Sequence, residues 1–205
     1  MERRLGAFDV EYIDAIDAIR DKSQIDEMRR DHPPQSYPIK DAEVACFLSH
    51  LKALRALVQS GLESGIVIED DVALILDFHR RWQEIRTQLP STNLVMLTAY
   101  VSGREGVHDF GCYKTIGPRV YGAQCYWITR RYAREILEQY DKPMRDIVCP
   151  DPRITSEHIT RFSGGIFLTT PLAIEDADDT FIQEPHSIEW HRSYYGQWPR
   201  QNYQI

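Results

Sequence analysis

Three observations predict an α/β layered fold with a central sheet that is mixed or largely parallel. Short apolar runs recur at 66–68, 93–97, 121–129 and 164–174. Segments with helical spacing lie between them, and Gly or Pro marks most of the junctions. In order along the chain, the first forty residues are polar, and "DHPPQSYP" (31–38) reads as a loop, since too little chain precedes it to fold alone. From Asp41, residues Val44, Leu48, Leu51, Leu54 and Val58 fall on one helical face, and Gly61 stops the helix. Ile66-Val67-Ile68 then reads as a short, fully buried strand.

A second helix is capped by Asp77, carries Phe78, Trp82, Ile85 and Leu89 inward, and closes at Pro90. "NLVML" (93–97) is a buried strand, and the glycine-bearing stretch 102–118 is loop with one short strand near Cys112 to Ile116. "YGAQCYWIT" (121–129) is a strand, and Thr129 caps a helix to about Tyr140 with Ala133, Ile136, Leu137 and Tyr140 inward. "GGIFLTTPLAI" (164–174) reads as one last strand. The whole is expected to be a single domain over 1–185, followed by a tail, 186–205, rich in Trp and Tyr.

The formal net charge of −7 removes the basic face that binding a nucleic-acid polymer would need. Cys46, Cys112, Cys125 and Cys149 stand far apart, a spacing unlike a structural zinc site or a disulfide framework, so thiols in a reducing cytosol are expected. No run approaches the ~18 apolar residues of a membrane span. "MERRLGAFDVEY" has no apolar signal core, so the expected location is cytoplasmic.

The unusual feature is "GIVIEDDV" (65–72), where a buried apolar strand runs into Glu69, Asp70 and Asp71. Three like charges in succession call for a compensating cation. Ligands of open α/β sheets bind beyond the carboxyl ends of strands, which is where this triplet lies. Backbone alternation puts Glu69 and Asp71 on one side, a pair of hard oxygen donors suited to Mg²⁺ or Mn²⁺. The bland alternative is a solvated strand end, or a cap for the segment that follows. A phosphate-accepting receiver domain is a poor fit, because the next buried strand ends "LVMLTAY" without a carboxylate and Lys142-Pro143 follows a helix. A GT-A-type nucleotide-sugar transferase fits better: there a metal takes up charge on the departing diphosphate.

Three stretches resemble glycosyltransferase family 25, the lipooligosaccharide-biosynthesis and collagen-galactosyltransferase group. They are "VEYIDAIDA" (10–18), "EVACFLSHLKALRALVQSGLESGIVIEDDVAL" (43–74) and "YGAQCYWITRRYAREILE" (121–138). The middle one is the most specific, with Ser49-His50 and the acidic triplet at the family's separation. The family's opening apolar strand, "i.viNL...ER", has no counterpart before Glu2-Arg3, so that strand is read as absent or replaced.

The resemblance implies a Rossmann-like GT-A fold and an inverting hexosyl transfer, commonly of galactose, from a UDP-sugar. The acceptor would be a saccharide, lipid-linked in lipopolysaccharide biosynthesis, or hydroxylysine. It implies Glu69 and Asp71 at the metal and diphosphate, Asp70 at the ribose or sugar, and Ser49 and His50 on a helix beneath the donor. His50 has the alternative of a core histidine bonded to backbone. The catalytic base falls on Asp146, with Asp151 and Glu157 as substitutes, and each could equally be a solvated loop acid. Arg130, with Arg131 and Arg134, either neutralises phosphate or is simply solvated. The aromatic tail either stacks on sugars at a membrane surface or packs on the domain or on a second copy of it. A catalytically silent GT-A-like binding or scaffolding module is the competing function.

Overall fold

The computed structural model describes residues 9–31, 40–98, 108–109, 113–116, 124–140, 165–168, 170–175 and 202–204. Its elements in chain order are α1 (Lys22–Asp31), α2 (Asp41–Ser60), β1 (Ser64–Ile68), β2 (Val72–Ile75), α3 (Phe78–Arg86) and β3 (Leu94–Met96). They continue with β4 (His108–Asp109), β5 (Tyr113–Ile116), β6 (Cys125–Thr129), α4 (Arg130–Tyr140), β7 (Gly165–Leu168), β8 (Ala173–Glu175) and β9 (Tyr203–Gln204). A six-stranded sheet has the order β1-β6-β3-β7-β5-β4, and a three-stranded sheet has the order β8-β2-β9.

The expected α/β class with a mixed sheet is present, but its pairing is mostly antiparallel. Among the described strands only β3 and β7 run parallel as neighbours, whereas β6 runs antiparallel to both β1 and β3. It follows that β1, β3 and β7 all point the same way, and their carboxyl ends share one edge of the sheet.

Period-two alternation builds two cores, one on each face of the large sheet. Leu94, Met96, Tyr126, Ile128 and Phe167 face α2 and α4, with Leu51, Leu54, Ile136 and Leu137. Val95, Leu97, Cys125, Trp127, Ile166 and Leu168 face the opposite way, onto Phe78 and Trp82 of α3 and onto Val72 and Leu74 of the small sheet. Three layers result: helices, large sheet, and α3 with the small sheet.

α2 and α4 follow their sequence signals. α2 ends at Gly61 in the left-handed region (φ 77°), a conformation that glycine adopts without a Cβ penalty. The Thr129 hydroxyl accepts from the Tyr132 amide (3.2 Å) and caps α4.

Several expectations are corrected. β1 is half-buried along its whole length, not fully buried, because it is the edge strand of the large sheet. The run 164–174 is two strands: β7 joins the large sheet and β8 the small one. Pro171, which has no N–H to give a ladder, stands between them. Asp77 is the N-cap residue of α3 as expected, but it lies in the left-handed region (φ 58°) and makes no side-chain cap bond; its carboxylate faces Arg80 at 3.3 Å. α1 was hidden by its polarity, since it buries Ile25 alone, against Val44 and Ala45 of α2. Lys22 and Arg29 of α1 also pair with Asp41 at 2.9 and 2.8 Å.

Within the aromatic tail, Tyr203 is buried in the small sheet and its hydroxyl donates to the Pro171 carbonyl (2.9 Å). Burial pushes that phenol up to about 12. No helix among the described residues is long and apolar enough to cross a membrane.

Candidate functional site

The acidic triplet is the turn that leaves the large sheet and enters the small one. Glu69 follows β1, Asp70 and Asp71 form the turn, and β2 begins at Val72. The Glu69 amide donates to the Gln124 carbonyl (2.8 Å), extending the β1–β6 pairing by one step beyond Ile68 and Cys125. Across the same edge, the Leu172 and Ala173 amides both donate to the Leu97 carbonyl just past β3, which stitches the two sheets together. The turn's first residue is thus held at the carboxyl end of β1, and the small sheet that it enters is tied to the carboxyl end of β3.

The three carboxylates do not do the same thing. Glu69 is half-buried and turned toward α2, Asp70 is exposed, and Asp71 is half-buried. Glu69 Oε1 accepts from His50 Nε2 at 2.7 Å and from the Cys46 thiol at 3.7 Å. Both of those contacts fall on Oε1, and Oε2 makes no hydrogen bond to another described residue. Among the described residues, the group of three or more His, Cys, Asp and Glu ligand atoms that converges is Cys46, His50 and Glu69, without Asp70 or Asp71.

His50 is 4% exposed and lies on the face of α2 that meets β6. Its Nδ1 is 3.0 Å from the Tyr126 hydroxyl, and the two rings stack at 5.7 Å between centroids. A buried imidazole with oxygen partners on both nitrogens is fixed in orientation. Burial alone would push His50 down; Tyr126, Cys46 and Glu69 around it outweigh that and hold it well above its ordinary value. Burial alone would push Glu69 up; the facing His50 outweighs it and holds the carboxyl below its ordinary value. The first group that answers the acidic triplet is therefore part of the protein, the His50 imidazole, whose protonated form the facing Glu69 carboxylate favours.

The other expected site residues are distributed as follows. Ser49 Oγ accepts from the Ile16 amide (2.9 Å) and donates to the Ala45 carbonyl (2.8 Å), so it pins the segment 10–18 onto α2. Lys52 reinforces this by donating to the Asp14 carbonyl (2.7 Å). Arg130 donates to the Gly61 carbonyl (2.6 Å) and to Glu63 (2.8 Å). In the β1–β6 register Ser64 faces Thr129 and Ile68 faces Cys125, so Arg130 and Glu69 stand at opposite ends of the strand pair. Arg131 pairs with Glu135 on the exposed face of α4. Asp146, Asp151 and Glu157 lie outside the described residues.

Sequence reasoning did not single out Cys46 or Tyr126. The signal for Cys46 was available, since Cys46 and His50 are four apart and share a face of α2. Tyr126 carries no such local mark, because only the pairing of β6 with β1 brings it beneath His50.

Residues 1–149 match the family model described as Glycosyltransferase family 25 (LPS biosynthesis protein). The chain is 31% identical over 114 residues to procollagen galactosyltransferase 1 of Danio rerio, an alignment covering 51% of this chain and 18% of that protein. It is 30% identical over 69 residues to procollagen galactosyltransferase 2 of Mus musculus, covering 34% of this chain and 11% of that one. The chain thus spans less than a fifth of the length of these curated relatives. The family match takes in α2, the Cys46–His50–Glu69 group, the acidic turn and α4, and this chain belongs to glycosyltransferase family 25.

Proposed function

We propose that this chain is a GT-A-like, metal-dependent, inverting hexosyltransferase that moves galactose from a UDP-sugar to a saccharide acceptor of the lipopolysaccharide type. The observation that carries the reading is the position of the acidic turn. It stands where β1, β3 and β7 end together and where the two sheets join, and the carboxyl ends of strands are where α/β sheets bind ligands. Family membership and the galactosyltransferase relatives support the reaction class.

The donor set suits a hard divalent ion such as Mn²⁺ or Mg²⁺, because Glu69, Asp70 and Asp71 offer only oxygens. Glu69 would hold such an ion through Oε2 while Oε1 stays bound to His50, and Asp71 would supply the second carboxylate. When bound, the ion stabilises negative charge on the departing diphosphate. Asp70, exposed at the tip of the turn, would orient the ribose or the sugar. Asp146, or Asp151 in its place, would accept the proton of the attacking acceptor hydroxyl. Ser49 and His50 act from behind, one fixing the N-terminal segment on α2 and the other fixing Glu69.

Donor hydrolysis tests this without knowledge of the acceptor. Incubation with UDP-, GDP- and CMP-sugars should release UDP selectively, and Asp71→Asn should lower the rate by a factor of a hundred or more, of the order seen when a group stabilising transition-state charge is removed. Equal, background-level hydrolysis of all donors would favour a silent binding module.

A further inference from the structure

We propose that Cys46, His50 and Glu69 form a second, inner cation site, selective for a borderline-soft divalent ion such as Zn²⁺. Cys46 and His50 project from successive turns of α2, and Glu69 meets them from the end of β1, so three ligand atoms from two elements lie within 4.8 Å of one another. One sulfur, one imidazole nitrogen and one carboxylate oxygen make a donor set that prefers Zn²⁺ to Mg²⁺ or Mn²⁺. The acidic turn, with oxygens alone, has the opposite preference.

Two of the three ligand-to-ligand distances are near what such an ion demands, and the third, sulfur to nitrogen, is at most 4.8 Å. Tetrahedral zinc with ordinary bond lengths places a sulfur and an oxygen ligand roughly 3.5 Å apart, and a nitrogen and an oxygen roughly 3.3 Å apart. Here Sγ and Oε1 are 3.7 Å apart, and Nε2 and Oε1 are 2.7 Å apart. The nitrogen–oxygen edge must open by roughly half an ångström to reach the tetrahedral spacing. Glu69 is the ligand able to yield, since 29% of its side chain is exposed and it ends an edge strand.

The outer support already exists. With Nε2 on the ion, Nδ1–H donates to the Tyr126 hydroxyl 3.0 Å away, the kind of second contact that fixes a metal-bound imidazole. Binding displaces the thiol proton of Cys46 and any proton on Nε2 to solvent, and a water completes the fourth position. On the functional reading above, an ion here takes the same Glu69 carboxylate that the donor site uses, so Zn²⁺ inhibits transfer.

Co²⁺ titration of the full chain is the test, because thiolate ligation gives a near-ultraviolet charge-transfer band whether or not the protein is active. One equivalent should produce the band in wild type and in Asp71→Asn, and Zn²⁺ should bleach it. Cys46→Ser should abolish it, and Glu69→Gln should weaken Co²⁺ binding at least tenfold. As a check that needs no variant, Zn²⁺ should protect Cys46 of the wild-type chain from alkylation, read by peptide mass spectrometry. No band in wild type, a band undiminished in Cys46→Ser, or unprotected Cys46 would each overturn the site. A chain that shows the band but hydrolyses no nucleotide sugar keeps this site and loses the enzyme reading.

Discussion

The two ends of the β1–β6 strand pair each carry an ion pair of nearly the same length, and the pairs have different physical meanings. At one end Arg130 meets Glu63 at 2.8 Å, with Glu63 91% exposed. At the other, His50 meets Glu69 at 2.7 Å, with His50 4% exposed. Water solvates the Arg130–Glu63 pair and screens it, so its energy is small and its use is architectural: it ties the turn after α2 to the head of α4. Little water reaches His50, so its charge and that of Glu69 depend on each other. Distance alone does not separate the two ends; burial does.

Removing one partner from each pair would sharpen the contrast. The largest effect is expected from His50→Ala, which leaves Glu69 without its cation and opens a cavity beside Tyr126. The loss should be about 3 kcal/mol in denaturant melts, toward the low end for a broken buried pair because Glu69 keeps partial access to solvent. Arg130→Ala should cost no more than about 1 kcal/mol. It should also leave donor hydrolysis unchanged, since it acts at the far end of the strands. Equal losses in the two variants would break the comparison.

A smaller effect is expected where the N-terminal segment folds over α2. Asp17 accepts from the Ile19 and Arg20 amides, and Asp21 accepts from the Asp17 amide. Amide donors are the main reason both carboxyls sit below their ordinary value of 3.8. A depressed carboxyl contributes stability that is present above its unfolded value and is lost as pH falls through the folded one. Amide exchange at Ile19 and Arg20 should therefore be protected at pH 5 and lose protection below about pH 3.8. Protection unchanged at a pH where both carboxyls are shown by NMR to be protonated would mean that these turns stand without the carboxylates.

The same contrast explains what could be read from the sequence. α2 and α4 were legible because their apolar spacing, Gly61 and the Thr129 cap are local signals. β3 and β6 were legible as apolar runs, and the acidic triplet stood out at a strand end. The small sheet was not legible, because it joins residues 72–75, 173–175 and 203–204, a pairing that no local pattern encodes. Arg130 offered either a phosphate contact or a solvated helix face, and its partners Gly61 and Glu63 were not legible because the β1–β6 register brings them to it. Glu69 and Asp71 looked equivalent by alternation, yet the chain turns at Asp70, and Glu69 is drawn inward by a histidine nineteen positions earlier.

Calorimetric titration of UDP, with and without Mn²⁺, into wild type and Asp71→Asn tests the central claim most directly. The account predicts tight UDP binding that needs Mn²⁺, disappears with EDTA, and is lost in Asp71→Asn while the fold is kept. No heat at millimolar UDP, or binding indifferent to both the ion and Asp71, would contradict it.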